Sequence, residues 1–212
     1  MPLDHIRQNV LANVSRESRD RLDIYVALLE QWQKHINLIG PSTVQQIWDR
    51  HVVDSLQLLP LLPPSTREIA DLGSGAGFPG LVLSIAGNLK VHLYEPNSKK
   101  LSFLREAIRM TGSHAQLHPY RLENIRERSP LPLVQVVTAR ALAPLHKLLE
   151  FAEPFLSEGV TGFFHKGQDL DAELTEATKY WRINSVKHPS VTDSKSAILE
   201  VKEAIRVRNP AK

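Results

Sequence analysis

The chain has 212 residues, 42% hydrophobic and 23% charged, with a formal net charge of +3; this is the length of one domain, or of one domain with a small appendage, in an ordinary globular composition. It contains no cysteine, which excludes disulfides, cysteine zinc sites and thiolate catalysis, and with the last goes carbon-5 pyrimidine methylation through a cysteine adduct. No apolar run approaches the ~18 residues of a membrane span, and Met1-Pro2-Leu3-Asp4-His5 lacks the basic-then-apolar layout of a secretion signal, so a cytoplasmic chain with no membrane partner is expected.

Residues 1–66 read as all-helical. Ser15 caps a helix on which Leu22, Tyr25, Val26, Leu29, Trp32 and Ile36 recur every three or four positions and make one apolar face. Gly40-Pro41-Ser42 breaks the chain, and a second helix is predicted over 43–59 with Ile47, Trp48 and Leu56 inward, ended by Pro60, Pro63 and Pro64. His51 and Asp54, three positions apart on it, share a face. The segment is too short for a core of its own and reads as a helical extension leading into an α/β domain at 67–212.

From residue 67 strand and helix alternate. A buried strand at 69–72 runs into Gly73-Ser74-Gly75-Ala76-Gly77-Phe78-Pro79-Gly80, after which Leu81, Val82 and Ile85 fall at helical spacing. The glycines therefore occupy a strand-to-helix turn, where backbone N–H groups and the positive end of a helix dipole face outward. Gly75-x-Gly77-x-x-Gly80 formally fits the dinucleotide pattern, which alone is weak. Asp71 discriminates: a carboxylate beside the turn repels a pyrophosphate and suits S-adenosylmethionine, which carries an ammonium and a sulfonium and no phosphate. The next strand, 91–95, ends in Glu95, an acid about 20 residues beyond the turn and placed to accept ribose hydroxyls.

Asn97 then caps a helix carrying Leu101, Phe103, Leu104, Ala107 and Ile108, closed by Thr111-Gly112-Ser113. A short strand at 115–117 precedes Arg121-Leu122-Glu123-Asn124, and Leu133-Val134-Gln135-Val136-Val137 is a β-branched strand ending near Arg140. A helix at 144–155, a strand at 162–165, a helix at 169–180 and strands at 183–187 and 197–201 complete a seven-stranded, mostly parallel sheet with helices on both faces. Gly73, Glu95, Leu122 and Arg140 should gather at one sheet edge. Arg140 is placed there to grip a cofactor carboxylate or to close a structural ion pair. Phe78 and Leu122 offer an adenine flat apolar partners, or fill core. Lys166-Gly167 follows a strand and reaches toward RNA phosphate, unless it is an ordinary exposed lysine. The excess of Lys and Arg in 90–128 and 179–212 permits a phosphate-binding face if the two segments meet.

Arg50-His51-x-x-Asp54-Ser55-Leu56, the Asp71-to-Gly80 run, Lys99-Lys100 with Phe103-Leu104, Arg121-x-Glu123, Arg140-Ala141 and Lys166-Gly167 resemble the successive motifs of the RsmG (GidB) family, bacterial 16S rRNA guanine-N7 methyltransferases. The resemblance runs from about residue 32 to 173. It implies a Rossmann-like class I fold, S-adenosylmethionine as cofactor with S-adenosylhomocysteine as product, and no metal. The implied substrate is a guanine in a loop near the decoding region, presented by 16S rRNA or the small ribosomal subunit to a monomeric enzyme. Cofactor contacts are implied at Gly73, Phe78, Leu122, Glu123 and Arg140, to which the reading of the turn adds Asp71, Gly75 and Glu95. Asn37, His51, Asp54 and Lys166 are the candidates to meet RNA or the guanine. No side chain is assigned as a catalytic base; Arg140 and Lys166 are positioning candidates. One departure is Gln33, which follows Trp32 where the family has asparagine, and the tail after about Tyr180 matches poorly.

The chemistry agrees with that target. Guanine N7 carries a free lone pair, so its methylation removes no proton, and orientation plus electrostatic matching suffice. After the fourth strand the chain reads Thr138-Ala139-Arg140-Ala141 rather than the Asp/Asn-Pro-Pro-aromatic turn of exocyclic-amine methyltransferases. Because paired A-form RNA hides N7 in a deep groove, the target base belongs in a loop or an unstacked site. Two other readings remain open from the sequence: a small-molecule methyltransferase, and a non-catalytic RNA-binding assembly factor on the same scaffold.

Overall fold

The computed structural model describes residues 3–128 and 130–207. Seven strands, β1 (Glu68–Leu72), β2 (Lys90–Tyr94), β3 (Ala115–His118), β4 (Val136–Arg140), β5 (Thr161–Lys166), β6 (Trp181–Pro189) and β7 (Ala197–Arg206), form one sheet in the order β3-β2-β1-β4-β5-β7-β6. The first five are parallel, and β7 runs antiparallel between β5 and β6. The order reverses between β1 and β4, so the crevice at their carboxyl ends is where a ligand is expected in such a sheet.

Alternation along each strand divides the interior into two cores. Ile69, Val91, Leu93, Val136 and Phe163 face the helices α4 (Gly80–Gly87) and α5 (Ser98–Thr111). Ala70, Leu72, Val137, Ala139 and Phe164 face α6 (Leu145–Leu156) and α7 (Leu170–Ala177). Buried on both faces, the parallel strands read as continuous apolar runs, which is why they are legible without alternation.

Helices α1 (Leu3–Ala12) and α2 (Arg16–Gln33) lie on the α4/α5 side. The Ser15 hydroxyl caps α2 by accepting the Ser18 N–H at 3.1 Å. The apolar face of α2 joins the first core: Tyr25 and Leu29 are fully buried, the Trp32 ring meets Phe103 edge-on at 5.9 Å, and the Ser18 hydroxyl donates to the Ile85 carbonyl at 3.1 Å. Gln33 clamps the following turn. Its Oε1 accepts the Leu38 and Ile39 N–H groups at 2.9 and 3.0 Å, and its Nε2 donates to the Ile39 carbonyl at 3.0 Å.

The structure departs from the predicted elements in three places. The 43–59 helix is a relay of 3-10 turns (Pro41–Gln46, Leu59–Leu61), a π-helical segment (Trp48–Val53) and one α-turn, α3 (Asp54–Leu56). Its carbonyls are claimed by side chains instead: Arg140 Nη2 donates to Arg50 O at 2.6 Å, His165 Nε2 to Asp54 O at 2.8 Å, and Ser55 Oγ to His51 O at 2.6 Å. Such partners compete with regular helix bonding, and π segments recur at functional sites. On the widened turn His51 and Asp54 point to different partners rather than sharing a face. The β4 ladder starts at Val136, with Leu133 89% exposed, because Gln135 Oε1 takes the Arg67 and Glu68 N–H groups at 2.8 and 2.9 Å and closes the end of β1. Finally, α7 stops at Ala177, and the terminal hairpin is longer than the sequence suggests.

Candidate functional site

Asp71 and Thr138 are register partners on β1 and β4. Asp71 Oδ1 accepts the Thr138 hydroxyl at 3.0 Å and Oδ2 accepts the Gly80 N–H at 3.3 Å. The residue is 0% exposed, and burial raises its pKa to about 6. The carboxylate thus braces the turn from beneath, because strand alternation points position 71 into the α4 core, and any influence on a ligand acts through the turn or through its charge. Above it Gly73, Gly75 and Gly77 have φ of +66°, +59° and +99°. A Cβ at Gly73 would lie 2.5 Å from Leu142 Cδ1, and one at Gly80 would lie 2.6 Å from Asp71 Oδ2. Only glycine lets these backbones approach so closely.

Glu95 closes the turn from the side. Its Oε2 accepts the Gly75 N–H at 2.9 Å and its Oε1 the Asn97 N–H at 2.8 Å. The carboxylate is buried, and each oxygen keeps a second lone pair for a ribose hydroxyl.

Phe78 is buried, with the Tyr25 and His51 rings at 5.4 and 4.9 Å and the Arg140 guanidinium 5.9 Å from its centroid. Its ring packs the N-terminal segment onto the turn, the core alternative that the sequence left open beside contact with an adenine. Tyr25 adds a second tie, its hydroxyl donating to Ala76 O at 2.6 Å. In the sequence Tyr25 is one of six apolar residues on a helix face, and nothing there signals this bond. His51 is buried too, 2.8 Å through Nε2 from Thr43 Oγ1. Burial, and then the nearby Arg140 charge, lower its pKa to about 4. It packs as a neutral ring between Thr43 and Phe78. Asn37, by contrast, is exposed.

Arg140 and His165 are register partners on β4 and β5, and Asp54 joins them. Arg140 Nε lies 3.2 Å from Asp54 Oδ2, and Asp54 Oδ1 accepts Gln57 Nε2 and Thr192 Oγ1, both at 2.7 Å. The Asp54 carboxylate is therefore engaged within the protein on both oxygens. Arg140 Nη1 is buried without a partner. Burial lowers the pKa of His165, keeping it neutral. Gln57, Thr192 and His165, none of them evident in the sequence, fasten the N-terminal segment to the sheet edge.

Lys166 is not free for RNA phosphate. Its side chain is 7% exposed, its Nζ pairs with Glu173 Oε2 at 2.5 Å and donates to Ala143 O at 3.1 Å. It turns inward at the end of β5, where the sequence suggested an exposed side chain.

A cavity of about 500 Å³ opens here, lined by Arg50, Asp54, Arg140, His165, Lys166 and the loop that carries Asp193, among others. Leu122 and Glu123, at the start of a 3-10 segment (Leu122–Arg128), line a separate cavity of about 280 Å³ with Trp181 and Arg206; Leu122 is buried and Glu123 exposed. The strands bring Gly73, Glu95 and Arg140 to one edge, while Leu122 and Glu123 stand on the α6 side. Among the described residues no cluster of His, Asp and Glu could hold a metal ion, and no helix is long and apolar enough to cross a membrane.

The model of the family described as rRNA small subunit methyltransferase G matches residues 18–202. A ribosomal RNA small subunit methyltransferase G from Bradyrhizobium sp. (strain ORS 278) is 51% identical over 195 residues, covering 90% of this chain and 87% of the relative. The protein of the same name from Rhodospirillum rubrum is 50% identical over 193 residues, covering 91% and 94%. The match runs past residue 180, into the tail where the motifs thin out. Among solved structures, a mutant of MtNAS in complex with S-adenosylmethionine superposes with a TM-score of 0.57 at 16% identity, covering 95% of this chain and 77% of that one. The ribosomal protein L11 methylase of Lactobacillus delbrueckii subsp. bulgaricus gives 0.56 at 15%, covering 73% and 78%. At such identities these speak for the fold alone.

Proposed function

The chain belongs to the rRNA small subunit methyltransferase G family, and from that premise we propose that it methylates N7 of a guanine in a loop of 16S rRNA near the decoding region, acting as a monomer on the rRNA or the small subunit. It is an S-adenosylmethionine-dependent methyltransferase.

The residues present suit that cofactor. Arg140 Nη1 is a buried donor with no protein partner, the group a carboxylate would satisfy. Gly73 and Gly75 bring backbone to the crevice without side chains, and Glu95 keeps lone pairs toward it. We assign the cofactor carboxylate to Arg140, the ribose to Glu95, the methionine portion to Gly73 and Gly75, and the adenine to the region of Leu122 and Glu123. When bound, the cofactor supplies a methyl group on a sulfonium.

The observation that carries the choice of N7 is the absence of an available base. Among the described residues lining the large cavity, Asp54 and Glu173 are held in ion pairs with Arg140 and Lys166, and Asp193, paired more openly with Arg50, is held below its ordinary pKa by the Lys195 N–H and then by Arg50, which makes it too weak a base to take a proton from an amine. His165 is neutral with Nε2 engaged. An amine or hydroxyl acceptor must lose a proton and calls for such a base; N7 does not. What the side chains have to supply is orientation, holding the base in line.

The test is mass spectrometry of 16S rRNA from cells with and without the gene. One 7-methylguanosine should vanish on deletion and return when the gene is supplied. Unchanged rRNA beside a lost methylated metabolite would favour a small-molecule substrate; RNA affinity without affinity for S-adenosylmethionine would favour an assembly factor.

A further inference from the structure

Among the described residues three ion pairs ring the large cavity, and their exposure separates them. Lys166 and Glu173 are 7% and 25% exposed, Arg140 and Asp54 18% and 14%, Arg50 and Asp193 44% and 29%. Breaking a buried pair strands a charge at a cost of several kcal/mol, whereas an exposed pair contributes about 0–1 kcal/mol and opens readily. Only the Arg50–Asp193 pair, 3.1 Å from Nη1 to Oδ2 across the mouth, is therefore exchangeable for a ligand.

Its placement is nonetheless fixed. The loop between β6 and β7 is tied to the N-terminal segment by Val191 N–H to Gln57 Oε1 at 2.9 Å and Thr192 Oγ1 to Asp54 Oδ1 at 2.7 Å. The Lys195 N–H donates to Asp193 Oδ1 at 3.0 Å. That bond, and then Arg50, hold the Asp193 carboxyl below its ordinary pKa, so it is an ionised, acceptor-only group.

Resting on the function proposed above, we infer that Asp193 and Arg50 read the Watson–Crick edge of the target base, Asp193 accepting N1–H and the exocyclic amine, and Arg50 donating to O6. Guanine presents that order of groups; adenine presents a donor where Arg50 donates and an acceptor where Asp193 accepts. Single-stranded bases are commonly gripped on this edge. The grip leaves N7, on the opposite edge, uncovered. When the carbon–sulfur bond breaks its electrons stay on sulfur, N7 gains the methyl, and no proton leaves. The purine ring becomes cationic and its N1–H more acidic, so the bond to Asp193 strengthens as the methyl moves, which is stabilisation specific to the transition state.

The experiment replaces the target guanosine by inosine, which lacks only the exocyclic amine, in 16S rRNA reconstituted into small subunits, and compares the natural chain with Asp193→Ala and Asp193→Asn. Affinity for S-adenosylhomocysteine, measured by calorimetry, should be equal in all three and reports folding. For the natural chain the exchange should lower kcat/KM about tenfold to a hundredfold, the worth of a hydrogen bond to a charged group. For Asp193→Ala it should cost less than about twofold, the signature of coupled groups. An equal inosine penalty in the natural chain and the variants would overturn the inference while leaving the methyltransferase reading intact. No transfer to guanosine-bearing subunits by the natural chain would overturn both.

Discussion

The Thr138 hydroxyl donates to Asp71 Oδ1 at 3.0 Å across neighbouring strands, while the other Asp71 oxygen accepts the first N–H of α4. One buried carboxylate thereby ties β1, β4 and α4 together beneath the glycine turn. Its pKa of about 6 in the fold lies above the ordinary 3.8, so the folded chain binds this proton more tightly than the unfolded chain does. The stability it contributes is full below about pH 3.8 and is lost as pH rises through about 6. Asparagine preserves the pattern, because its oxygen accepts from Gly80 and the Thr138 hydroxyl reverses to accept from its amide. Asp71→Asn should remove this part of the pH dependence in urea melts. It should also weaken S-adenosylmethionine more than S-adenosylhomocysteine, which lacks the sulfonium charge, by about 1–2 kcal/mol. Equal losses for the two ligands would show that the charge of Asp71 does not act on the cofactor.

Gly80 tests the packing half of the same account. An added Cβ would lie 2.6 Å from Asp71 Oδ2 and 2.7 Å from Leu93 Cδ2, so α4 has to retreat from the sheet. Gly80→Ala should cost about 3 kcal/mol in urea unfolding, at the upper end for overpacking, and lower cofactor affinity with it. A neutral alanine would mean that the close approach of α4 to β1 is not needed.

The glycine turn, the acid before it and the strands announce themselves in the sequence because each depends on a local rule: positive φ, a period of two, or a doubly buried apolar run. Glu95 and Arg140 could likewise be placed from the sequence at the carboxyl ends of β2 and β4. What the sequence conceals is direction. An apolar face on α2 says that Tyr25 is inward, not that its hydroxyl finds Ala76. A lysine after a strand looks like a surface cation, and only the position of Glu173, on a later helix, turns Lys166 inward. Residues 41–61 mislead most, since their periodicity suits a helix while side chains from β4 and β5 take the carbonyls such a helix needs.

Lys166 carries a prediction that separates folding from RNA binding. Its buried Nζ joins Glu173, whose Oε2 also accepts the Leu145 N–H at 2.6 Å, to the Ala143 carbonyl in the loop after β4. Lys166→Met should destabilise the chain by about 2 kcal/mol, less than the full cost of a stranded buried charge because Glu173 is a quarter exposed. The salt dependence of RNA binding should keep its slope, whereas loss of a phosphate contact would lower it by about 1. A reduced slope with unchanged stability would restore Lys166 as an RNA ligand.

The state of the histidines fixes the pH behaviour of the chemical step. His51, with a pKa lowered to about 4 by burial and by Arg140, is neutral across the working range, and His165 is lowered in the same direction by burial. The carboxylates lining the cavity are paired. Neither histidine is therefore poised to change charge near neutrality, and a lone-pair acceptor such as N7 asks for no such group. Single-turnover methyl transfer at saturating cofactor should vary by less than about twofold between about pH 6.5 and 8.5. Below that range a decline should follow protonation of Asp71, whose pKa is about 6, and appear as weaker S-adenosylmethionine binding rather than slower transfer. A steep limb in the transfer rate itself, abolished by His51→Gln or His165→Gln, would instead mark that histidine as a proton acceptor and shift the target from a ring nitrogen to a protonated amine or hydroxyl.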